Sequence, residues 1–244
     1  ILVLGWACYP LVRYTFAGLP DHGFPLARLV GLLLLTFLTW VLGSLGVPFT
    51  SLLVSVVFLV IVLINAALFW LQREAIINEV KNNWKRYLTV EVLILVLFTL
   101  FLLVRLGNPD LWHPYKGGEK PMDFSYLNAV IKSTTFPPYD PWFAGGYINY
   151  YYFGFVLAGV PIKWLGIIPS IAYNLVLPTF FSLFGAAAFS LGWNIISALK
   201  PQSVSLEASN EEESSPEDEP AFNAGIMAVL LSLILGNLGT IRMI

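Results

Sequence analysis

The chain has a single cysteine, Cys8, in 244 residues. No internal disulfide can form, and neither a cysteine-based zinc site nor an iron–sulfur cluster can be built. Charge is equally scarce: Asp, Glu, Lys and Arg make up 11% of the residues, against ~25% in an ordinary soluble domain. These shortages exclude a secreted disulfide scaffold, thiol redox chemistry and a nucleic-acid binder. Apolar residues are plentiful, with Ala, Val, Ile, Leu, Met, Phe, Trp, Tyr and Cys supplying 57%. That balance predicts an all-α, polytopic integral membrane protein, each crossing needing ~20 apolar residues for ~30 Å of hydrocarbon.

The net charge is −2, but seven of the fifteen acids fall between Glu207 and Glu219. The other eight stand against thirteen bases, so the rest of the chain carries +5. The chain starts at Ile1 without a Met and stops at Ile244 inside an apolar run, which suggests a segment of a longer protein.

Hydropathy predicts about seven transmembrane helices. Residues 1–12 read as the end of a first, 26–46 as a second, with Arg28 reaching the headgroups from its end, and 49–71 as a third. Residues 72–87 contain Arg73, Lys81, Lys85 and Arg86, with Ile76, Ile77, Val80, Trp84 and Tyr87 at helical spacing, a pattern suited to an interfacial helix. Residues 1–87 therefore form an N-terminal membrane unit. The next unit, 88–199, has a span at 88–106, a polar loop at 107–146, and spans at 147–168 and 171–199 that contain Pro161 and Pro178. Residues 200–220 cannot bury enough apolar surface to fold and read as a disordered acidic tether, and 221–244 begins a seventh span. The basic loops mark the cytoplasmic side of a multi-pass cell-membrane protein. This places the short 168–171 turn inside and both 107–146 and 200–220 outside.

Polar groups within the spans are few. Asn65, Asn174, Asn194 and Asn237 suit helix–helix hydrogen bonding, while Glu91 and Arg105 lie near the interface. Chemistry is expected instead in the loop. Phe124, Leu127, Ala129, Val130 and Ile131 form a helical stripe, predicting a helix of about three turns on the bilayer with Asp123 at its start. Asp123 either caps that helix or acts as a general base, and both are possible together. Farther on, Pro137-Pro138, Asp140-Pro141-Trp142 and Gly145-Gly146 lead into Tyr147-Ile148-Asn149-Tyr150-Tyr151-Tyr152-Phe153. With 147 onward helical, Tyr147, Tyr151 and Phe155 share a face. They form either an aromatic belt or a surface for sugars and phosphate.

The run Glu119-Lys120-Pro121-Met122-Asp123-Phe124, followed by the Pro, Trp, Gly-Gly and triple-tyrosine motifs just quoted, closely resembles the uncharacterised YYY membrane-protein family of bacteria and archaea. The resemblance extends from Asp21-His22-Gly23-Phe24 through Gly236-Asn237-Leu238. The layout of that family is similar to GT-C membrane glycosyltransferases: a span, a long outward loop with an early acid, a membrane-lying helix, then paired spans joined by a short cytoplasmic turn. In such enzymes the loop carboxylate activates the acceptor and the sugar donor is a polyprenyl phosphate. On that resemblance Asp123 is the catalytic position, with Glu119 next; Asp-Phe here replaces the frequent Asp-Glu pair.

An acceptor hydroxyl attacking an anomeric carbon gains ~10²–10⁴-fold from a positioned base, the role given to Asp123. Lys120, Lys132, Arg105, Asp140, Trp142, Tyr147, Asn149, Tyr150, Tyr151 and Tyr152 are the expected groups around the lipid-linked sugar and its phosphate. No metal is assigned, since no His or carboxylate pair has ligand spacing, and His113 and Asp110 read as loop surface. The expected function is an outer-face glycosyltransferase that uses a polyprenyl-phosphate sugar and sits among membrane lipids. The alternatives are a transporter or lipid carrier, disfavoured by the lack of midplane charge, and a non-catalytic envelope assembly protein.

Overall fold

The computed structural model describes residues 1–111, 119–199 and 219–235. The tether at 200–218 and the positions Asn237, His113 and Lys116 lie outside the described residues. The described residues are helical, with α1 (Leu2–Thr15), α2 (Ala27–Ser44) behind a 3-10 turn at Phe24–Leu26, α3 (Ser51–Asn82) and α4 (Trp84–Gly107). After these come α5 (Lys120–Lys132), α6 (Phe153–Leu165), α7 (Pro169–Leu199) and α8 (Glu219–Val229), the last running into a π-helical turn at Leu230–Ile234.

Four of these stretches are long and apolar enough to cross a membrane: Phe24–Ser44, Ser51–Asn82, Trp84–Gly107 and Pro169–Leu199. That is fewer than the seven expected. The apolar helices Phe153–Leu165 and Glu219–Ile234 are shorter, and α1 has 14 residues. The separate interfacial helix expected at 72–87 does not form. Its residues continue α3 to Asn82, break at Asn83 and open α4, because the apolar spacing of 72–82 remains in phase with the span before it.

Two ends of the bundle are chemically distinct. At the basic end Glu79 of α3 accepts from Arg13 Nε at 2.8 Å, His22 Nδ1 at 2.7 Å and the Tyr87 hydroxyl at 2.8 Å. Tyr9 reaches the same carboxylate at 3.2 Å and Arg86 at 3.4 Å. One acid thus joins α1, the 16–23 loop and α4 to α3. Asp21 ties that loop to α7: its carboxylate accepts from the Gly23 N–H and the Ser190 hydroxyl, while its own N–H donates to Asn194 Oδ1 at 3.2 Å. Asn65 accepts the Leu11 N–H at 3.0 Å, one residue past Pro10 in α1. Asn65, Asn174 and Asn194 therefore bond between segments as expected, the middle one through Arg105.

Arg28, expected to extend from the end of its span, is instead 2% exposed and turned to Glu91 of α4, whose other oxygen accepts from the Trp6 indole at 3.0 Å. A lone charge at that depth is costly, so the two charges and the indole satisfy one another.

The loop end is built on the α2–α3 hairpin. Trp40, near the end of α2, donates to the Tyr152 hydroxyl at 3.0 Å just before α6. Ser51, the first residue of α3, donates to the Lys163 carbonyl at 2.9 Å near the other end of α6. Both ends of α6 thus hold to one end of the bundle, and its 13 residues measure ~20 Å. It does not traverse. The span predicted at 147–168 is accordingly a short helix in one half of the bundle, and Tyr147–Tyr152 precede it as irregular chain.

The topology changes with it. Asn174, in the second turn of α7, bonds Arg105 and the Pro109 carbonyl at the end of α4, so the α6–α7 turn lies at the loop end and not opposite it. Leu199 and Glu219, the helix ends flanking residues 200–218, lie at the basic end, because Phe189 and Trp193 pack there with Tyr9, Phe24, Tyr87 and Ala221. The 107–146 loop and the acidic segment were expected on one face, but their flanking helix ends lie at opposite ends. The paired spans with a turn opposite the loop, implied by the glycosyltransferase-like layout, do not form.

Helices α7 and α8 approach closely at Gly192, where an added Cβ would meet the backbone carbonyl of Ala224. Such contact carries much of helix association in lipid, where no hydrophobic force acts between helices.

Replacing Arg28 with Met strands Glu91 and is expected to destabilise the fold by ~3–5 kcal/mol. The double variant Arg28→Met, Glu91→Leu should recover most of the loss. Thermal unfolding midpoints of the wild type and both variants in detergent check this; a double variant as unstable as the single one would show that the pair is not the cause.

Candidate functional site

Helix α5 carries the loop acids. Its N-cap position is Glu119, whose side chain makes no capping bond, and Asp123 lies in the first turn. The capping role expected of Asp123 is therefore corrected: it lies four residues inside the helix boundary. Helical spacing puts Glu119, Lys120 and Asp123 on one face. The same face, farther along the helix, buries Leu127 and Val130 against Ala158, Ile162 and Ala172 of α6 and α7 and against Gly159. The helix thus rests on two protein helices.

Asp123 is half-buried, and among the described residues no donor reaches its carboxylate. Partial desolvation, and then the nearby charge of Glu119, push its carboxyl above the ordinary range. The adjacent Phe124 ring meets Tyr173 of α7 edge-on at 5.7 Å. The next residue, Asn174, accepts from Arg105 Nε at 3.1 Å and donates to the Pro109 carbonyl at 3.2 Å. One turn of α7 thus anchors the Asp123 helix and the buried Arg105 guanidinium. This is the tertiary link between the two candidates.

The tyrosines are arranged differently from expectation. Because α6 begins at Phe153, Tyr147, Tyr150, Tyr151 and Tyr152 do not occupy helix faces. Tyr151 has φ 25°, a left-handed setting that costs a bulky residue about 1–3 kcal/mol. Its ring still lies parallel to Phe155, at 6.4 Å, and meets Tyr150 at 4.2 Å. Desolvation, then the carboxylates of Glu119 and Asp123, raise the Tyr151 phenol. Tyr152 turns away to bond Trp40, and Tyr147 stacks on Tyr139.

The remaining candidates divide. Lys120 reaches the Asp110 carbonyl at 3.4 Å. Lys132, nine residues beyond Asp123 on α5, is ~13 Å away along the helix and is not brought to it. Asp140 accepts the Trp142 N–H at 2.8 Å, and the Trp142 indole donates to Ser125 Oγ at 2.9 Å, which joins them to α5. Asn149 is exposed. Among the described residues no three His, Cys, Asp or Glu side chains gather as a metal-ligand set.

An apolar cavity of ~340 Å³ lies beneath this site. Ala158, Ile162 and Ala172 line it and also pack with Leu127 and Tyr173, so a single layer of side chains separates it from α5. A second cavity, of ~490 Å³, contains Arg28 and Glu91 in its wall with Thr179 and Ser182. Sequence reading missed this ion pair and the Glu79 cluster. The available signal was the presence of acids inside otherwise basic or apolar helices, at Glu79 and Glu91.

A family model described as "Uncharacterized membrane protein (DUF2298)" matches residues 34–244. No curated protein and no solved structure matches the chain.

Because the folded protein holds the Asp123 proton more tightly than the unfolded chain, this group's contribution to stability falls as pH rises through the carboxylate range. Glu119→Gln should lower the Asp123 titration midpoint. Carboxyl-carbon NMR of the Asp-labelled protein reads it, and an unmoved midpoint would remove Glu119 as a cause.

Proposed function

The chain belongs to the DUF2298 family of uncharacterized membrane proteins, and we propose that it is a glycosyltransferase acting at the outer face of the membrane. The donor in this reading is a sugar carried on polyprenyl phosphate. One observation carries the proposal: Asp123 is a half-buried carboxylate with strengthened proton affinity, on a helix above an apolar cavity. A base of this kind must hold a proton well enough to take it from a hydroxyl.

In the proposed step Asp123 receives the acceptor hydroxyl proton while the acceptor oxygen forms a bond to the anomeric carbon. The bond from that carbon to the phosphate oxygen breaks, and its electron pair leaves with the lipid phosphate. Lys120, Arg105 and the Tyr150 and Tyr151 hydroxyls are the groups suited to steady that charge, and the apolar cavity suits the lipid chain. Glu119 keeps the local field negative and so favours the proton on Asp123. The GT-C analogy is thereby reduced to this carboxylate and the lipid boundary, since the paired spans differ. The positive-inside rule, applied to the basic end, puts the loop end outside. The same rule puts the helix ends flanking 200–218 inside.

A second reading, a lipid carrier, is favoured by the Arg28–Glu91 pair in the wall of the 490 Å³ cavity. An intramembrane charge is a functional candidate by default.

The test uses the full-length protein in detergent with polyprenyl-phosphate sugars, followed by native mass spectrometry. Asp123→Asn is expected to retain the lipid-linked sugar and lose at least ~10²-fold in transfer rate. Equal transfer by the variant would remove Asp123 as the base. Lipid binding that depends on Arg28 and Glu91, without sugar transfer, would favour the carrier.

A further inference from the structure

Residues 138–148 form a hairpin in the loop end. The Ile148 N–H donates to the Pro138 carbonyl at 2.9 Å and the Asp140 N–H to the Gly146 carbonyl at 3.0 Å. Tyr139 and Tyr147 pair across it, their rings stacked at 4.8 Å and 22°. Gly145, at φ 79°, makes the turn that a side chain would strain. At the tip, Trp142 is fixed through its backbone N–H to Asp140 and its indole N–H to Ser125. The ring so held is 66% exposed, and its neighbour Phe143 is 68% exposed.

A large ring held out from the fold suits either a lipid interface or a sugar. An interfacial tryptophan keeps its polar edge toward the headgroups. Trp142 spends that edge on Ser125 of α5 and offers its face. The surrounding charge is mixed, with Asp140 at the base of the tip and Glu119, Lys120 and Asp123 on the adjoining helix. Both signs serve a polyol, since carboxylates accept hydrogen bonds from hydroxyls and an ammonium donates to them. The face of an aromatic ring is negative, and it attracts the weakly positive C–H groups of a pyranose. Ser125 is two residues from Asp123, so the platform and the proposed base lie on different faces of one turn of α5, a separation that a chain of sugar rings can span.

We propose that this hairpin holds the acceptor, a neutral oligosaccharide, with pyranose rings stacked on Trp142 and the Tyr139–Tyr147 pair and a hydroxyl directed to Asp123. The inference rests on the glycosyl-transfer reading and adds the acceptor's chemical class to it.

The test places the full-length protein in nanodiscs and titrates it with neutral α- and β-linked hexose oligomers by calorimetry. Saturable binding is expected, weakened at least tenfold in Trp142→Ala and in Tyr147→Ala and preserved in Trp142→Phe. Tyr147→Ala leaves both Trp142 hydrogen bonds in place, which guards against a merely misfolded tip. Absence of binding by the wild type, or equal binding by both alanine variants, overturns the platform. Quenching of Trp142 by brominated lipid, measured as the difference from Trp142→Phe, would place the tip in the bilayer and also overturn it. Binding that depends on Trp142 without any sugar transfer would instead count against the glycosyltransferase reading alone.

Discussion

Glu79 governs the basic end because charge in an apolar bundle must be answered locally. It stands on α3 and receives groups from α1, from the 16–23 loop and from α4. Tyr9 and Tyr87 bond each other at 2.6 Å as well as that carboxylate, so the donors form a network. Around it Trp6, Tyr9, Phe24 and Tyr87 pack ring to ring. The aromatic shell leaves the Glu79 side chain only 10% exposed and so raises the cost of leaving it unpaired. Arg28 with Glu91, and Asp21 with Ser190 and Asn194, repeat the principle deeper in the bundle and on α7.

The opposite end solves a different problem, how to hold irregular chain against a membrane. Backbone groups there find partners in the α2–α3 hairpin: the Phe49 N–H donates to the Thr134 carbonyl at 2.8 Å, and Ser51 holds the Lys163 carbonyl. Lys163 in turn donates to the Ser133 carbonyl at 2.6 Å. Backbone without helix is tolerated at such depth only where protein satisfies it. The same ties that fasten α6 in one half of the bundle bring α5 over Tyr173 and so set Asp123 beside the outer aromatic chain. Fold and proposed chemistry share this scaffold.

Much of this was legible in the amino-acid order. The apolar runs marked α2, α3, α4 and α7, because burial in lipid selects composition residue by residue. The stripe from Phe124 to Ile131 marked α5, and the packed side chains Leu127 and Val130 are members of it. Asn65, Asn174 and Asn194 carried a readable message as well, since a polar amide in an apolar helix needs a partner on another segment. The tyrosine run was misread. Apolar and aromatic residues dominate from Tyr147 to Ile168, and a local pattern cannot distinguish a helix from extended chain whose bonds are made by Pro138 and Trp40.

Composition and periodicity by themselves determined that the chain is helical and membrane-embedded, and that the candidate acids Glu119 and Asp123 share one loop. Those properties are sums over neighbouring residues. Only the tertiary structure decided that α6 turns back, that Arg28 meets Glu91 across 63 positions, and that Arg105 and Asp123 are anchored on one turn of α7. Each of these depends on contacts between residues far apart in sequence, where the requirement to pair a charge or a backbone group in a low-dielectric medium is met by whichever partner the packing brings near.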